Sequence, residues 1–453
     1  MMFTKEELIE ASRAKVLKDK TPALEYTNGE SQRFRISTDT RTISNQDLYL
    51  PLKGANFDGE KFIDKAIQNG AYGYLTTSNT ILDGANLVLK VDNSLESYLN
   101  IAEYYRHKVN PITVAITGSS GKTTTKEIIY SVLRQDFKTH KTYSNHNNEI
   151  GFCQTVLGMD DDTQVLIVEM GMRGLGEIEL ISTHLNPDYA IITNSGSAHI
   201  GRLGNLDNIA IAKCEITSGL KHDGTFIALD QDIIRKHLKF EGEQIYYTIN
   251  DVEILEKSPS YSKFKYKNEI YELNAEGEYN IENSLAAIEL GLKLGVKTES
   301  IKQGLKSYHP IEKRWEVQEI RGFKFINDSY NANPESMKAA VKTFIDLYKN
   351  PIVILGDMGE LGDNENEYHK QVGQFLSKEN KNVKYLTVGK LAKKIGKELL
   401  NQGFDVKDFN SNKEVSCYIL ENLNNSYTIF LKASRSMKFE EIIDNVKRGI
   451  DRL

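Results

Sequence analysis

The sequence predicts an α/β protein of three domains: a small N-terminal α/β domain, a central parallel-sheet domain and a C-terminal Rossmann-like domain. Three observations carry this expectation. The chain has 453 residues, three times the roughly 150 that one domain commonly uses. From residue 112 onward, short apolar runs alternate with helix-like stretches, the pattern of a doubly wound sheet. One strand-to-helix junction, at residues 118–125, reads Gly-Ser-Ser-Gly-Lys-Thr-Thr-Thr.

Residues 1–108 hold the stretch 36–41 (Ile-Ser-Thr-Asp-Thr-Arg), the segment 47–54 and a helical pattern near 61–69, enough for a small α/β domain. Residues 107–111 are polar and end at Pro111, so they read as a linker to a second domain over 109–312. There, 112–116 is an apolar strand, 126–133 a helix, and 165–168, 189–193 and 226–229 are strand-like, with helices between them. Short runs around 244–248, 261–266 and 270–273 are expected to form an antiparallel appendage, followed by a helix over 280–294. A break at 308–314 opens the third domain, 313–453. Its expected order is strand 324–327, helix 334–346, strand 352–355, helix 365–377, strand 384–388, strand 427–432 and a helix from 439. This last unit has no glycine-lysine loop, which suits a closing half-site better than a second ATPase.

Composition narrows the function. Charged residues make up 26% and hydrophobic residues 40%, as in an ordinary soluble globular protein. A net charge of −6 without a long basic run offers nucleic acid no electrostatic footprint. No stretch approaches the ~20 apolar residues of a membrane span, and the start lacks the apolar core of a secretory leader, so a cytoplasmic chain without stable membrane insertion is expected. The cysteines, Cys153, Cys214 and Cys417, are few and scattered, against both a disulfide scaffold and a Cys-based zinc site. A small-molecule partner fits best.

The chemistry starts at the glycine turn. Gly118 and Gly121 let the backbone curl so that amides and a helix N-terminus can face phosphates, Lys122 supplies positive charge, and the Thr123 hydroxyl can ligate Mg²⁺. A capped turn alone would explain the glycines but not a lysine and three threonines at the helix mouth. The longer loop form would place a glycine where Ile116 stands, so the match is to the shorter Gly-x-x-Gly-Lys-Thr form of a P-loop-type ATPase domain. Glu169 ends an apolar strand, the position of a further Mg²⁺ ligand, although strand-end glutamates are common. His199 lies in a glycine-rich loop after another strand, where a metal ligand and a structural histidine are equally good readings. Lys213 sits on an apolar helix face, and by sequence alone a snorkelling lysine or an ion pair with Glu215 is the simpler account.

Taken together in order, Gly-x-x-Gly-Lys-Thr-Thr (118–124), Asn147-Asn148-Glu149-Ile150-Gly151, Glu169-Met-Gly, His199, Ala212-Lys213-x-Glu215, Asn280-x-x-Asn283-x-x-Ala286, Arg314 and Asp328-Ser-Tyr-Asn-Ala-Asn-Pro334 resemble the Mur ligase family over essentially the whole chain. Residues 328–336 and 355–362 look like the branch that adds D-alanyl-D-alanine. Related ligases carry Asp-Tyr-Ala-His or Asp-Gly-Ala-His-Asn-Pro at the former place, and the Asp-Asn-Pro-Arg motif of the diaminopimelate-adding enzyme is absent from this sequence.

The resemblance implies an ATP-dependent amide ligase of peptidoglycan precursor synthesis. Its substrates would be UDP-N-acetylmuramoyl-tripeptide and D-alanyl-D-alanine, and it would act as a monomer through an acyl phosphate. The alternative is another Mur-type ligase such as folylpolyglutamate synthase. By resemblance, Gly118, Ser119, Ser120, Gly121, Lys122, Thr123 and Thr124 hold the phosphates, Asn280 and Asn283 lie by adenine, and Arg314 and Asp328 reach ATP from the hinge and third domain. Two Mg²⁺ ions are implied, one on Thr123 and Glu169, the other on His199 and Lys213, with Lys213 carbamylated by CO₂; Lys122, His199 and Lys213 are the implied catalytic residues. Ser37, Asp39 and Arg41 resemble a uridine-nucleotide site, with a charged turn as the competing account. Asn331, Asn333, Lys432 and Arg435 are implied near the closed site or the dipeptide. The chain departs from the family pattern at Lys313, where glycine is usual, and at Ala433, which replaces the glycine of Lys-Gly-Ser-Arg.

Overall fold

The computed structural model describes residues 2–22, 31–54, 56–311, 313–379 and 382–449; Glu312, where the expected second domain ends, lies outside them. Two compact units form: Met1–Val114 with Lys138–Met170 and Leu180–Pro187, and Ala115–Phe137 with Gly171–Glu179 and Asp188–Leu453.

The first unit contains a six-stranded sheet in the order Phe3–Thr4, Arg33–Ser37, Asp47–Tyr49, Gly73–Thr76, Leu87–Lys90, Lys15–Asp19. Its inner strands pair parallel and its two edge pairs antiparallel. The expected linker at 107–111 is mostly helix: Ser94–Val109 starts where Asn93 accepts from the amides of Leu95 and Glu96, and stops only at Asn110, which is left-handed at φ 51. Apolar and aromatic residues on one face, Tyr98, Leu99, Ile101, Ala102 and Tyr105, are buried and carry the helix through the polar tail. Tyr105 donates to Met159 O at 3.0 Å and to Asp161 at 2.7 Å, tying this helix to residues after Glu149–Leu157. The same unit holds the parallel pair Thr139–Lys141 and Val165–Glu169.

In the second unit, Tyr189–Ile192, Thr225–Leu229 and Glu243–Tyr247 are parallel neighbours in that order. Glu243–Tyr247 therefore corrects the expectation of an antiparallel strand near 244–248. It follows the helix Asp232–His237 and completes a strand-helix-strand crossover. As an edge strand its polar start is exposed, which imitates the alternation of an antiparallel ribbon. The antiparallel appendage is instead Glu253–Ser258, Tyr261–Tyr266 and Glu269–Leu273.

The C-terminal sheet runs Glu316–Ile320, Phe323–Asn327, Thr428–Lys432, Pro351–Gly356, Lys384–Val388, Asp405–Phe409, parallel except for its first pair. Its central strands are continuous apolar runs because helices cover both faces. Asp357, just past one strand, accepts from the amides of Leu391 at 2.9 Å and Ala392 at 2.7 Å, at the mouth of the helix Ala392–Asn401. Around the 308–314 break, Lys313 and Trp315 are left-handed at φ 58 and 63. That is the conformation for which glycine is usual at 313, and here a lysine adopts it.

Burial and nearby Glu278 push the carboxyl of Glu282, on the helix Glu278–Lys293, up to about 7 from its ordinary 4.5. A pKa raised by folding favours the native state while the group is protonated, so this contribution is lost as pH rises from about 4.5 to 7. Glu282→Gln is expected to flatten that part of the profile by about 1–3 kcal/mol. Urea unfolding of both proteins at pH 5 and pH 8 checks it; parallel losses in the two would reject the assignment.

Candidate functional site

The strand Ile112–Thr117 runs into a four-residue turn, and the helix Lys122–Leu133 begins directly behind it. Both glycines are required. Gly118 has φ 155, and a Cβ there would meet Thr193 Oγ1 at 1.9 Å; Gly121 has φ 79, and a Cβ would meet Asn283 Oδ1 at 2.5 Å. Gly121 is the N-cap and has no side chain to close the helix end, so the mouth keeps the polarity that suits an anion.

A second loop holds the turn in shape. Ser119 N donates to Asn194 O at 3.0 Å, and Ser120 N donates to Asn194 Oδ1 at 3.0 Å. Asn194 Nδ2 returns a bond to Ser120 O at 3.1 Å, which also accepts from Thr193 Oγ1 at 2.6 Å. Ser119 Oγ exchanges bonds with the backbone of Gly196, at 2.9 and 3.1 Å. Lys122 Nζ donates to Gly118 O at 2.7 Å, curling over its own loop.

Other expected residues of the larger unit gather here. Arg314 Nη2 donates to the Thr123 hydroxyl at 3.0 Å, while its guanidinium lies 4.0 Å over the Tyr330 ring. Thr125 donates to Asn283 Oδ1 at 3.3 Å, and Asn280, buried one turn earlier, donates to Glu276 O at 2.7 Å. Lys213 lies on the helix Leu206–Cys214, completely buried, and its Nζ has no hydrogen-bond partner among the described residues. Burial holds its amine well below the usual lysine range, and the Lys122 charge adds to this against Glu215. The two simpler accounts of Lys213 therefore fail: the side chain does not snorkel, and the Glu215 carboxylate instead accepts from the amides of Gly176 at 2.8 Å and Glu179 at 3.4 Å. His199, left-handed at φ 67, caps the short helix Ile200–Leu203, with Nδ1 2.6 Å from Glu360 Oε2.

Glu169 belongs to the first unit. It ends its strand buried, with Oε1 accepting from Asn147 Nδ2 at 3.0 Å and its amide donating to Thr142 Oγ1 at 3.0 Å. Asn147 thus acquires a role that the motif 147–151 did not reveal. In the same unit, Asp39 pairs with Arg41 at 2.6 Å, which holds the Asp39 carboxyl down to about 2, and Asp39 also caps Thr40–Thr42. Ser37 Oγ donates to Asp39 O at 3.2 Å. This is the charged turn of the competing account.

In the C-terminal sheet, Lys432 is buried and paired with Asp328 at 2.5 Å, and it also donates to Asn331 O at 3.3 Å. Asn333 caps the helix Pro334–Leu347 by accepting from Ser336 N at 2.8 Å, whereas Arg435 reaches Glu440 at 2.6 Å. Ala433 is buried, 2.6 Å from the place a Cβ on Gly356 would take. Among the described residues no three His, Cys, Asp or Glu side chains make a metal cage.

Three family descriptions match in tandem: "Mur ligase family, catalytic domain" over residues 35–113, "Mur ligase middle domain" over 116–291, and "Mur ligase, glutamate ligase domain" over 313–435. The UDP-N-acetylmuramoyl-tripeptide–D-alanyl-D-alanine ligase of Bacillus subtilis is 35% identical over 425 residues, 91% of this chain and 92% of that protein. A crystal structure of MurF from Acinetobacter baumannii, 26% identical, superposes with a TM-score of 0.87 over 99% of both chains, so the fold is the three-domain α/β fold of that protein. The folylpolyglutamate synthase of Thermotoga maritima is more distant: TM-score 0.54, 14% identity, over 78% of this chain and 97% of that one.

Asn194→Ala removes the side-chain bonds that fix the backbone and hydroxyl of Ser120. It is expected to cost about 1–3 kcal/mol of nucleotide binding, a loss of roughly 5- to 150-fold. Calorimetric titration with ADP measures it, and unchanged affinity would show that the turn keeps its shape unaided.

Proposed function

The chain belongs to the Mur ligase family, and we propose that it joins D-alanyl-D-alanine to UDP-N-acetylmuramoyl-tripeptide, converting ATP to ADP and phosphate. The observation that carries this reading is the pairing, in one unit, of a braced glycine turn bearing Lys122 with the fully buried, unpartnered amine of Lys213. The tandem family matches and the full-length likeness to D-alanyl-D-alanine ligases support the substrate choice. Folylpolyglutamate synthesis is disfavoured by the weaker structural likeness and by Asp328-Ser-Tyr-Asn-Ala-Asn-Pro334.

The domains divide as 1–108 for the UDP-linked peptide, 109–312 for ATP and ligation, and 313–453 for closure and the incoming dipeptide. A carboxylate oxygen of the tripeptide attacks the γ-phosphorus, and ADP leaves. The dipeptide amine then attacks the acyl carbon and gives up its proton, and the tetrahedral intermediate collapses with loss of phosphate. Positioning and charge neutralisation do the work, without a covalent enzyme nucleophile. The turn amides and Lys122 hold the phosphates, Ser119, Ser120 and Thr124 shape the cradle, Asn280 and Asn283 flank the adenine, and Arg314 with Asp328 meets the nucleotide from the third domain.

Thr123, Glu169, His199 and Lys213 would hold the metal ions, with Lys213 as a carbamate; Mg²⁺ supplies Lewis-acid stabilisation of phosphoryl charge when bound. The fit of Lys213 is chemical. Carbamate formation needs a neutral amine whose lone pair bonds to CO₂ carbon while a proton leaves, and burial shifts this amine in that direction. Ser37, Asp39 and Arg41 take the uridine nucleotide, and Asn331, Asn333, Lys432 and Arg435 shape the dipeptide side. No helix among the described residues is long and apolar enough to cross a membrane. The enzyme of this reading works in the cytoplasm, as a monomer, in cell-wall precursor synthesis.

Lys122→Ala should lower ligation by at least about 100- to 1000-fold, with UDP-sugar binding to the first domain retained. ADP release with D-alanyl-D-alanine, set against folate plus glutamate, checks both the residue and the substrate class; near-normal turnover in the variant would refute the loop assignment.

Lys213→Ala should be inactive and partly recovered by formate or acetate, whose oxygens can replace those of a carbamate. Failure of every short carboxylate to restore turnover, in a variant that still binds ADP, would count against the carbamate.

A further inference from the structure

We propose that Glu360 is a positioning residue for His199, fixing which ring nitrogen that histidine presents to the reaction centre; this rests on the assignment of His199 to the site above. Glu360 lies in the stretch 355–362, to which the proposed mechanism gives no task. Its Oε2 stands 2.6 Å from His199 Nδ1, off the line of a formed hydrogen bond but within a small ring turn of one, and its Oε1 is 3.7 Å from Arg202 Nε. The backbone joins in, since Gly201 N donates to Glu360 O at 3.0 Å.

The approach is close enough to exclude side chains. A Cβ on Gly201 would fall 2.4 Å from Gly362 N and 2.8 Å from Gly362 Cα. Glu360 and Gly362 are both left-handed, at φ 62 and 64, a conformation that costs a glutamate energy. Beside this contact, Ser197 donates to Glu335 Oε2 at 2.8 Å. The loop 194–201 is therefore held from two sides: by Ser119 and Ser120 of the phosphate turn, and by two carboxylates from the C-terminal motifs.

A half-exposed contact between a carboxylate and an imidazole adds little stability, so the value of Glu360 lies in direction. A carboxylate only accepts. A neutral imidazole facing it at Nδ1 carries its proton there, which leaves the Nε2 lone pair for the site. Without Glu360 the ring can rotate and exchange tautomers. Because the carboxylate arrives with residues 359–362, His199 is correctly set only while that segment is docked.

The test uses the full chain without metal or nucleotide, labelled with ¹⁵N-histidine, and reads the ring nitrogens by long-range ¹H–¹⁵N NMR at a pH where the ring is neutral. His199→Gln identifies the signal. Wild-type protein is expected to show Nδ1–H. Glu360→Ala should shift the signal toward Nε2–H or an average and lower kcat by about 10- to 100-fold, with KM for ATP little changed. Glu360→Gln, whose amide oxygen can still accept, should keep both the signal and most of kcat. An unmoved ring signal in Glu360→Ala overturns the proposal, as does a moved signal with unchanged kcat. Wild-type turnover by His199→Ala would instead overturn the assignment of His199 itself, and the positioning role with it.

Discussion

The larger unit is organised around one constraint: the backbone at 118–121 must hold its turn although Gly118 and Gly121 have no side chains to hold it with. The glycines that permit the turn also make it the part of the chain with most freedom to lose. Thr193, Asn194 and Gly196 remove that freedom by bonding to Ser119 and Ser120. What depends on the turn is correspondingly extensive. Thr123 is offered to Arg314, Asn283 closes over Gly121, and Lys122 sets the electrostatic climate in which Lys213 sits.

That climate separates three cationic residues by environment. The Arg314 guanidinium lies over the Tyr330 ring. Lys122 lies against the Gly118 carbonyl. Lys213 is denied both solvent and a partner, and an ammonium in such a place would cost several kcal/mol. Burial therefore pulls its amine well below the usual lysine range, toward the form that keeps a lone pair.

Much of this was legible beforehand, because strands buried on both faces leave continuous apolar runs and the glycine turn has a compositional signature. Val165–Glu169, Tyr189–Ile192 and Lys384–Val388 emerge close to where those runs place them. The helix Ala392–Asn401 was missed since Gly396 interrupts it, although Ala392, Ile395 and Leu399 make a buried stripe. Asp405–Phe409 has too few apolar residues to announce itself, and its register comes from the neighbouring strand. The supporting contacts at the site, Asn147 with Glu169 and Glu360 with His199, join residues far apart in sequence. Such pairs carry no local pattern, which is why the sequence offers candidate residues without their contact partners.

Asp357 has a quieter consequence. The C-terminal sheet builds the same kind of strand-to-helix junction as the glycine turn at 118–121, and then closes it with its own carboxylate on the amides of Leu391 and Ala392. A phosphate approaching that helix would meet a resident negative charge and amides already engaged. Of two architecturally similar openings, one is thus corked from within by a side chain of the same sheet.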